Sequence, residues 1–475
     1  MTKVLRPDIC VIGAGSGGLS VAAAAAAFGV PVVLVEKSRM GGDCLNFGCV
    51  PSKALIAAGK RAQAMRGAET FGIGAVEPDV DFRRVHGHVH GVIEAIAPND
   101  SVERFTALGV TVIEAEARFV SRSAVVAGEY EIRARRFVVA TGSRPLVPPI
   151  PGLEDVPYLT NETIFGLTRR PGHLVVIGGG AIGIELAQAY RRLGSKVTVI
   201  EAGNALGRED PELAGFVTRA LRREGVDLRE GTRVASVELR GKTGVRVHVE
   251  GAGGPRTIDG THLLVAAGRA PTVEGLDLAK GRIRHSAAGI DVTAKLRTTN
   301  RRVYAVGDVT GAPQFTHVAG QQAALVLRPL LFRLPAKFDA SLVPRVTYAD
   351  PELAHVGMTE AEAMKRHRGV RVLRWALSEN DRAQAERAGE GLAKLVTDRR
   401  GRLLGVSIAA PNAGEMIGLH ALAISKGMGV RDLAGWLPPY PTIGEIGKRA
   451  AITYFSGATR RPFVRGLIRF LRRFG

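Results

Sequence analysis

Unbroken apolar runs that stop at a glycine recur along most of the chain, the pattern of buried parallel strands that deliver the backbone into sharp turns. Residues 7–12 (Pro-Asp-Ile-Cys-Val-Ile) predict the first such strand, Gly13-Ala14-Gly15-Ser16-Gly17-Gly18 its turn, and the alanine-rich run 19–28 a helix. Residues 32–35 predict the next strand, which ends in Glu36. The same order returns later: strand 174–177, turn Gly178-Gly179-Gly180-Ala181-Ile182-Gly183, a helix from Ile184, and strand 197–200 ending in Glu201. Mixed helical segments fill 54–105, and Pro148, Pro149, Pro151 and Gly152 mark a linker. Further apolar runs close in Ala140-Thr141-Gly142-Ser143, in Ala267-Gly268-Arg269 and in Val306-Gly307-Asp308. From about residue 341 the pattern changes to runs at 372–377, 392–396 and 403–408. Asp398-Arg399-Arg400-Gly401 between the last two reads as a hairpin turn, so an antiparallel sheet with flanking helices is expected.

Each strand–glycine turn–helix–strand–acid unit has the order of a dinucleotide-binding fold. Gly13, Gly15 and Gly18, like Gly178, Gly180 and Gly183, let the helix N-terminus meet a pyrophosphate, and Glu36 and Glu201 are placed to accept ribose hydroxyls. Two such units in one chain predict two nucleotide cofactors. An acid at the end of the second unit suits the free 2′-hydroxyl of NAD and repels the 2′-phosphate of NADP, with Arg208 close by in sequence as the opposing charge. The fold class is therefore α/β, two Rossmann-like domains followed by an α+β C-terminal domain.

Composition changes this picture little. At 475 residues the chain is long enough for two to four domains. The formal charge of +20 invites a nucleic-acid reading, but the 65 Lys and Arg are spread through almost every segment and no nucleic-acid motif accompanies them. An anionic cofactor, an anionic substrate or plain solvation accounts for the excess. Lys3 and Arg6 before a long apolar stretch resemble a signal peptide, yet the glycines inside that stretch belong to a turn, and the cytoplasm is the expected compartment. Arg83-Arg84-Val85-His86-Gly87-His88-Val89-His90 places only His86 and His90 on one helical face. A solvated helix is expected there and no metal site.

Three cysteines exclude a secreted disulfide scaffold, and Cys10 is expected to be a buried strand residue without chemistry. Cys44 and Cys49 lie in Gly41-Gly42-Asp43-Cys44-Leu45-Asn46-Phe47-Gly48-Cys49-Val50-Pro51-Ser52-Lys53. On an ideal helix this spacing turns about 500° and rises ~7.5 Å, too far for a disulfide, so the turn must be distorted for the two to bridge. Gly41, Gly42 and Gly48 permit that, and Cys49 near a helix N-terminus gains thiolate character. The residues alone leave open a redox pair or two ordinary reduced cysteines.

The run 41–53 resembles the redox-active segment of the class I pyridine nucleotide-disulfide oxidoreductases, the family of dihydrolipoamide dehydrogenase, glutathione reductase and mercuric reductase. The resemblance extends from about residue 7 to 455. It implies FAD and NAD as cofactors, NADP being the less favoured nicotinamide, with Cys44 exchanging with a small-molecule substrate and Cys49 lying against the flavin. It further implies that Lys53 lies near the flavin ring and pairs with Glu185, which approaches the nicotinamide, and that Asp308 binds the ribityl chain. Thr141, Gly142, Gly268 and Gly307 join the cofactor-binding set, while His317, close to the Asp308 motif, is given a structural role. The implied domains are 1–150 with 271–340 for FAD, 151–270 for NAD(P), 341–455 for homodimer formation, and a tail, 456–475.

One position departs from the family. Tyr440-Pro441-Thr442-Ile443-Gly444-Glu445 aligns with the family's His-Pro-Thr-x-x-Glu, which reaches the partner subunit's cysteine pair, and here tyrosine replaces the catalytic histidine. Glu445, the residue that orients that histidine, is retained. The mercuric reductases also lack the histidine but carry C-terminal cysteines, whereas no cysteine follows Cys49 here. The expected activity is FAD-dependent NAD(P)H:disulfide-type oxidoreduction. The alternatives are dihydrolipoamide dehydrogenase or mercuric reductase, and an NADH oxidase or quinone reductase with an idle disulfide. In the tail, Phe463, Val464, Leu467, Ile468, Leu471 and Phe474 recur at helical spacing opposite Arg461, Arg465, Arg469, Arg472 and Arg473. That basic amphipathic helix can pack on the dimer or lie on anionic lipid at the inner face of the membrane.

Overall fold

Valine- and isoleucine-rich central strands, buried on both faces, form the middle of two parallel five-stranded sheets. The computed structural model describes residues 3–311, 313–457 and 461–474. In the first sheet the strand order is Val303–Ala305, Arg136–Val139, Ile9–Ile12, Val32–Glu36 and Val110–Glu114. In the second it is Tyr158–Leu159, His262–Val265, His173–Ile177, Lys196–Ile200 and Asp227–Arg229. Both orders put the strand before the glycine turn next to the strand that ends in the acid, with register Ile12 to Val35 and Ile177 to Ile200. The chain leaves the first sheet, completes the second and comes back. Short antiparallel strands Ser143–Pro145 and Arg269–Pro271 pair the outgoing and returning segments.

The element ends differ from the expectations in ways the chemistry explains. The first strand begins at Ile9 instead of residue 7, because Pro7 has no N–H for a ladder. The two glycine-turn helices begin at Ser16 and Ala181, three residues earlier than expected, since the last residues of each turn, Gly17 and Gly18 in one and Gly183 in the other, are themselves helical. Cys10 is fully buried in its strand, and burial pushes its thiol pKa up. Helix Phe82–Ile96 keeps Arg83, Arg84, Gly87 and His88 exposed, as the solvated reading of the histidine run expected, but also ties that run to its neighbours. His88 Nε2 lies 3.2 Å from Ala54 O and His90 Nε2 3.2 Å from Phe165 O, so two of the three rings pin the helix to its neighbours. No cluster of three or more potential metal ligands occurs among the described residues.

The C-terminal sheet is antiparallel, in the order Arg345–Thr347, Glu352–Gly357, Leu403–Ala410, Leu392–Thr397 and Arg371–Ala376. Its central hairpin turns through residues 398–401, where Asp398 Oδ1 accepts the amides of Arg400 and Arg402. Lys394 on this hairpin is only 4% exposed and holds Asp210 at 2.7 Å and Glu212 at 2.9 Å, with Glu360 also in contact. Asp210 caps helix Pro211–Arg223, so the cluster fastens the second parallel-sheet unit to the C-terminal sheet. Removing the lysine strands a buried carboxylate. Lys394→Met is expected to lower stability by about 3–5 kcal/mol, read as a fall in the urea midpoint at unchanged slope; a change within about 0.5 kcal/mol, typical of surface substitutions, would show that the cluster is held by solvent.

Candidate functional site

The two glycine turns are built alike. A Cβ on Gly13 (φ 102°) would stand 2.4 Å from Ala140 O, and one on Gly178 (φ 111°) 2.4 Å from Ala266 O, so neither position admits a side chain. By contrast a Cβ on Gly180 meets nothing within 4 Å, and one on Gly15 meets only Gly42 Cα at 4.0 Å. Open space therefore lies over the first turns of helices Ser16–Ala27 and Ala181–Arg192, which carry neither a side-chain cap nor an acid. Such amide ends fit a pyrophosphate, and the residues present suit a dinucleotide in both units. The acids match too. Glu36 accepts Ala14 N at 2.6 Å and Ser38 N at 2.8 Å, while Glu201 accepts Gly179 N at 2.7 Å and Gly203 N at 2.9 Å. Each carboxylate is aimed by two amides and keeps lone pairs for ribose hydroxyls.

The cysteine segment packs against the first of these turns. A Cβ on Gly42 (φ 58°) would approach Gly15 Cα to 2.7 Å, and the Asn46 amide donates to Met40 O and Gly42 O, closing the loop on itself. Helix Gly42–Asn46 stops before Gly48 and a new helix, Cys49–Arg66, starts on the second cysteine. This break is the distortion that the five-residue spacing demands. Cys44 and Cys49 are free thiols here and share a hydrogen bond. That bond, with Thr316 and the Lys53 charge behind it, lowers the Cys49 thiol to about 6 against the cost of burial. The same bond and burial push Cys44 up. Thr316 Oγ1, at 3.3 Å from Cys49 Sγ, comes from the first residue of helix Thr316–Leu331 and was not anticipated.

Lys53 stands one turn into the cysteine helix, and its Nζ is 2.8 Å from Glu185 Oε2. The two helices cross closely because Gly59 faces Ala189, where a Cβ would come within 3.3 Å of the backbone oxygen. Glu185 is buried, and its other oxygen accepts Tyr348 N at 2.9 Å. The Tyr348 ring in turn lies 4.4 Å from Lys53 Nζ, a cation–π contact that the sequence reading missed.

A polar chain joins the cysteine segment to the Asp308 motif. Arg269 reaches Asp43 at 3.1 Å and donates to Ser143 Oγ at 2.7 Å, and Ser143 donates to Asp308 Oδ2 at 2.6 Å. Asn161 adds a bond to Asp43 at 3.1 Å. Burial pushes the Asp308 carboxyl up, with Ser143 and Arg269 opposing it. Gly307 (φ 74°) donates its amide to Gln322, and Thr141 donates to Thr272 O. Gly142 (φ 67°) and Gly268 (φ 133°) flank the paired crossover strands. His317 is stacked on Phe315, its Nε2 2.9 Å from Pro344 O.

Tyr440 and Glu445 belong to the C-terminal unit and make no described contact with the cysteines of their own chain. Tyr440 is 68% exposed, and its hydroxyl donates to Asp381 Oδ2 at 2.9 Å. That bond and the Asp381 charge push the phenol above its ordinary value, ahead of Glu445. Glu445 is buried and stands 3.6 Å from Arg449.

Comparison with known proteins agrees with this geometry. The family model of the pyridine nucleotide-disulphide oxidoreductases matches residues 7–323, and that of their dimerisation domain matches 343–451. A mercuric reductase of Bacillus cereus is 35% identical over 457 residues, spanning 94% of this chain and 71% of that protein. A dihydrolipoyl dehydrogenase of Thermus scotoductus is 37% identical over 450 residues, spanning 92% and 95%. Among solved structures, the Cu(II) complex of the HOCl-induced flavoprotein disulfide reductase RclA from Escherichia coli superposes with a TM-score of 0.85 at 27% identity, covering 95% of this chain and 100% of that one.

Proposed function

The chain belongs to the pyridine nucleotide-disulphide oxidoreductase family, whose cofactors are FAD and a pyridine nucleotide, and we propose that it takes electrons from NADH and delivers them through Cys44 and Cys49 to a small oxidised substrate. The observation that carries this is the placement of the two sulfurs: the break between helices Gly42–Asn46 and Cys49–Arg66 brings Cys44 and Cys49 within hydrogen-bond reach, with Thr316 and the Lys53–Glu185 pair behind Cys49. We assign residues 1–150 with 271–340 to FAD, 151–270 to the nicotinamide nucleotide and 341–455 to the dimer interface. The dimerisation-domain match supports assembly as a homodimer.

When bound, FAD relays electron pairs between nicotinamide and sulfur. Gly13, Gly15 and Gly18 would seat its pyrophosphate, Glu36 its adenosine ribose and Asp308 its ribityl hydroxyls. Asp43, Arg269 and Ser143 would hold the cysteine loop and Asp308 in fixed relation. Lys53, held in place by Glu185, sets a positive charge beside Cys49. Among the described residues the group in contact with the Cys44 thiol is Cys49. Cys44 attacks the oxidised substrate, its proton leaving with the displaced group, and the Cys49 thiolate then attacks the Cys44 sulfur, closing the Cys44–Cys49 disulfide as the electron pair passes to the substrate.

The substrate of this route is one that asks little proton transfer of Tyr440, and the mercuric reductase relatives and the copper-bound RclA structure favour a metal complex. A substrate panel on purified flavoprotein tests this: turnover confined to dihydrolipoamide would contradict it. For the nicotinamide, Glu201 is expected to give NADH about a tenfold advantage in kcat/KM over NADPH, equivalent to ~1.4 kcal/mol, and Glu201→Gln to remove most of it. Equal use of both nucleotides by the unaltered protein would place the carboxylate away from the ribose. We place the protein in the cytoplasm, since a chain of 475 residues with only three cysteines is not a secreted disulfide scaffold.

A further inference from the structure

Helix Pro462–Leu471 has no fully buried residue. Phe463 is 80% exposed and Phe474, just beyond the helix, 73%. At 100° per residue Phe463, Val464, Leu467, Ile468, Phe470 and Leu471 fall in one arc of about 160°, and the arginines take the rest. We propose that this helix docks the enzyme on an anionic phospholipid surface, its apolar arc among the acyl chains and its arginines at the headgroups.

Two observations select lipid over a second copy of the chain. The first is charge. Residues 456–475 contain Arg460, Arg461, Arg465, Arg469, Arg472 and Arg473 and no acid, while the whole chain carries 65 Lys and Arg against 45 Asp and Glu. A second copy therefore meets the tail with charge of the same sign, whereas anionic headgroups neutralise it. The second is the pairing of signals on one element. A short apolar insertion alone gives marginal, reversible binding, and an apolar arc beside a basic one supplies the two attractions that stable peripheral attachment needs. Ten residues span about 15 Å, half the hydrocarbon thickness of a bilayer, so the helix lies in the surface plane. No described helix of the chain is long and apolar enough to cross a membrane. The docking is independent of the redox chemistry, because the tail contributes no site residue.

The test is co-sedimentation of full-length, flavin-loaded protein with vesicles of phosphatidylcholine alone and of an equimolar mixture with phosphatidylglycerol. Binding is expected only to the mixture and is expected to weaken as salt rises. Arg469→Gln should lower the partition coefficient about fivefold, the effect of one basic residue near an anionic surface, and Leu467→Glu should abolish binding. Both variants should keep NADH oxidation and the elution volume of the unaltered protein. Equal recovery with the two vesicle types, or undiminished binding by Leu467→Glu, would overturn the proposal. So would a Leu467→Glu protein that elutes as a smaller species, since the arc would then be packed on a second copy.

Discussion

Cys44→Ser is expected to abolish turnover of disulfide and thiol-reactive substrates, a loss on the order of 10³-fold or more, while flavin binding and NADH-dependent reduction of a quinone persist. The two outcomes separate because Cys44 makes a bond that forms and breaks in the disulfide route and has no part in electron passage to a quinone. The loop itself should survive the change. Its shape comes from left-handed Gly41 and Gly42 and from the Asn46 amide, none of which involves the sulfur. If the variant keeps disulfide turnover within about tenfold, the pair is idle and the quinone or oxygen reductase reading takes its place.

The second large effect concerns Tyr440. The unaltered protein is expected to oxidise dihydrolipoamide roughly 10²–10⁴-fold more slowly than a relative with histidine at this position, the usual cost of a missing acid–base group. A phenol with an ordinary pKa near 10 is protonated at neutral pH, and here its proton is already given to Asp381. That carboxylate raises the phenol pKa further, so the tyrosinate becomes available only in more alkaline solution than a free tyrosine requires. Glu445 acts in the same direction but is a smaller cause than Asp381. The ring is exposed, and its hydroxyl keeps lone pairs for a substrate while its proton is engaged. Tyr440→His, assayed with lipoamide in both directions, should recover a large part of the deficit. A folded, flavin-loaded variant with no gain would mean that some other feature limits the reaction.

What could be read in the chain and what could not divides along contact range. The glycine turns, the acids that follow each second strand and the hairpin at 392–410 are local patterns, in which spacing alone sets φ, period and burial. The strict alternation Val245-Arg246-Val247-His248-Val249 is equally local. It forms the middle strand of an antiparallel sheet, Arg233–Arg240, Gly244–Gly251 and Gly254–Gly260, that the glycine-centred reading passed over. Lys53 and Glu185 were paired only through the resemblance, since nothing local foretells that Gly59 lets their helices cross so closely. Arg269 with Asp43, Ser143 with Asp308, Thr316 with Cys49 and Tyr440 with Asp381 went unseen for the same reason. Each joins residues dozens to hundreds of positions apart, and a charged or hydroxylic side chain on a loop carries no periodic signal of what it will meet. The histidines of helix Phe82–Ile96 are a mixed case: His88 is solvent-exposed, as polarity suggested, yet His88 and His90 also contact the backbone oxygens of Ala54 and Phe165.

The most direct test of the central claim, that electrons reach the Cys44–Cys49 pair, is anaerobic titration of the purified flavoprotein with NADH, followed by absorbance and by thiol count. The first electron pair should leave the flavin spectrum largely oxidised, raise a long-wavelength band from the Cys49 thiolate and release two titratable thiols. Because the Cys49 thiol is lowered to about 6, the thiolate exists above that pH, so the band should be full at pH 8 and fade as the pH falls through about 6. Bleaching of the flavin over the first electron pair, with no band and no new thiols at any pH, would contradict the account.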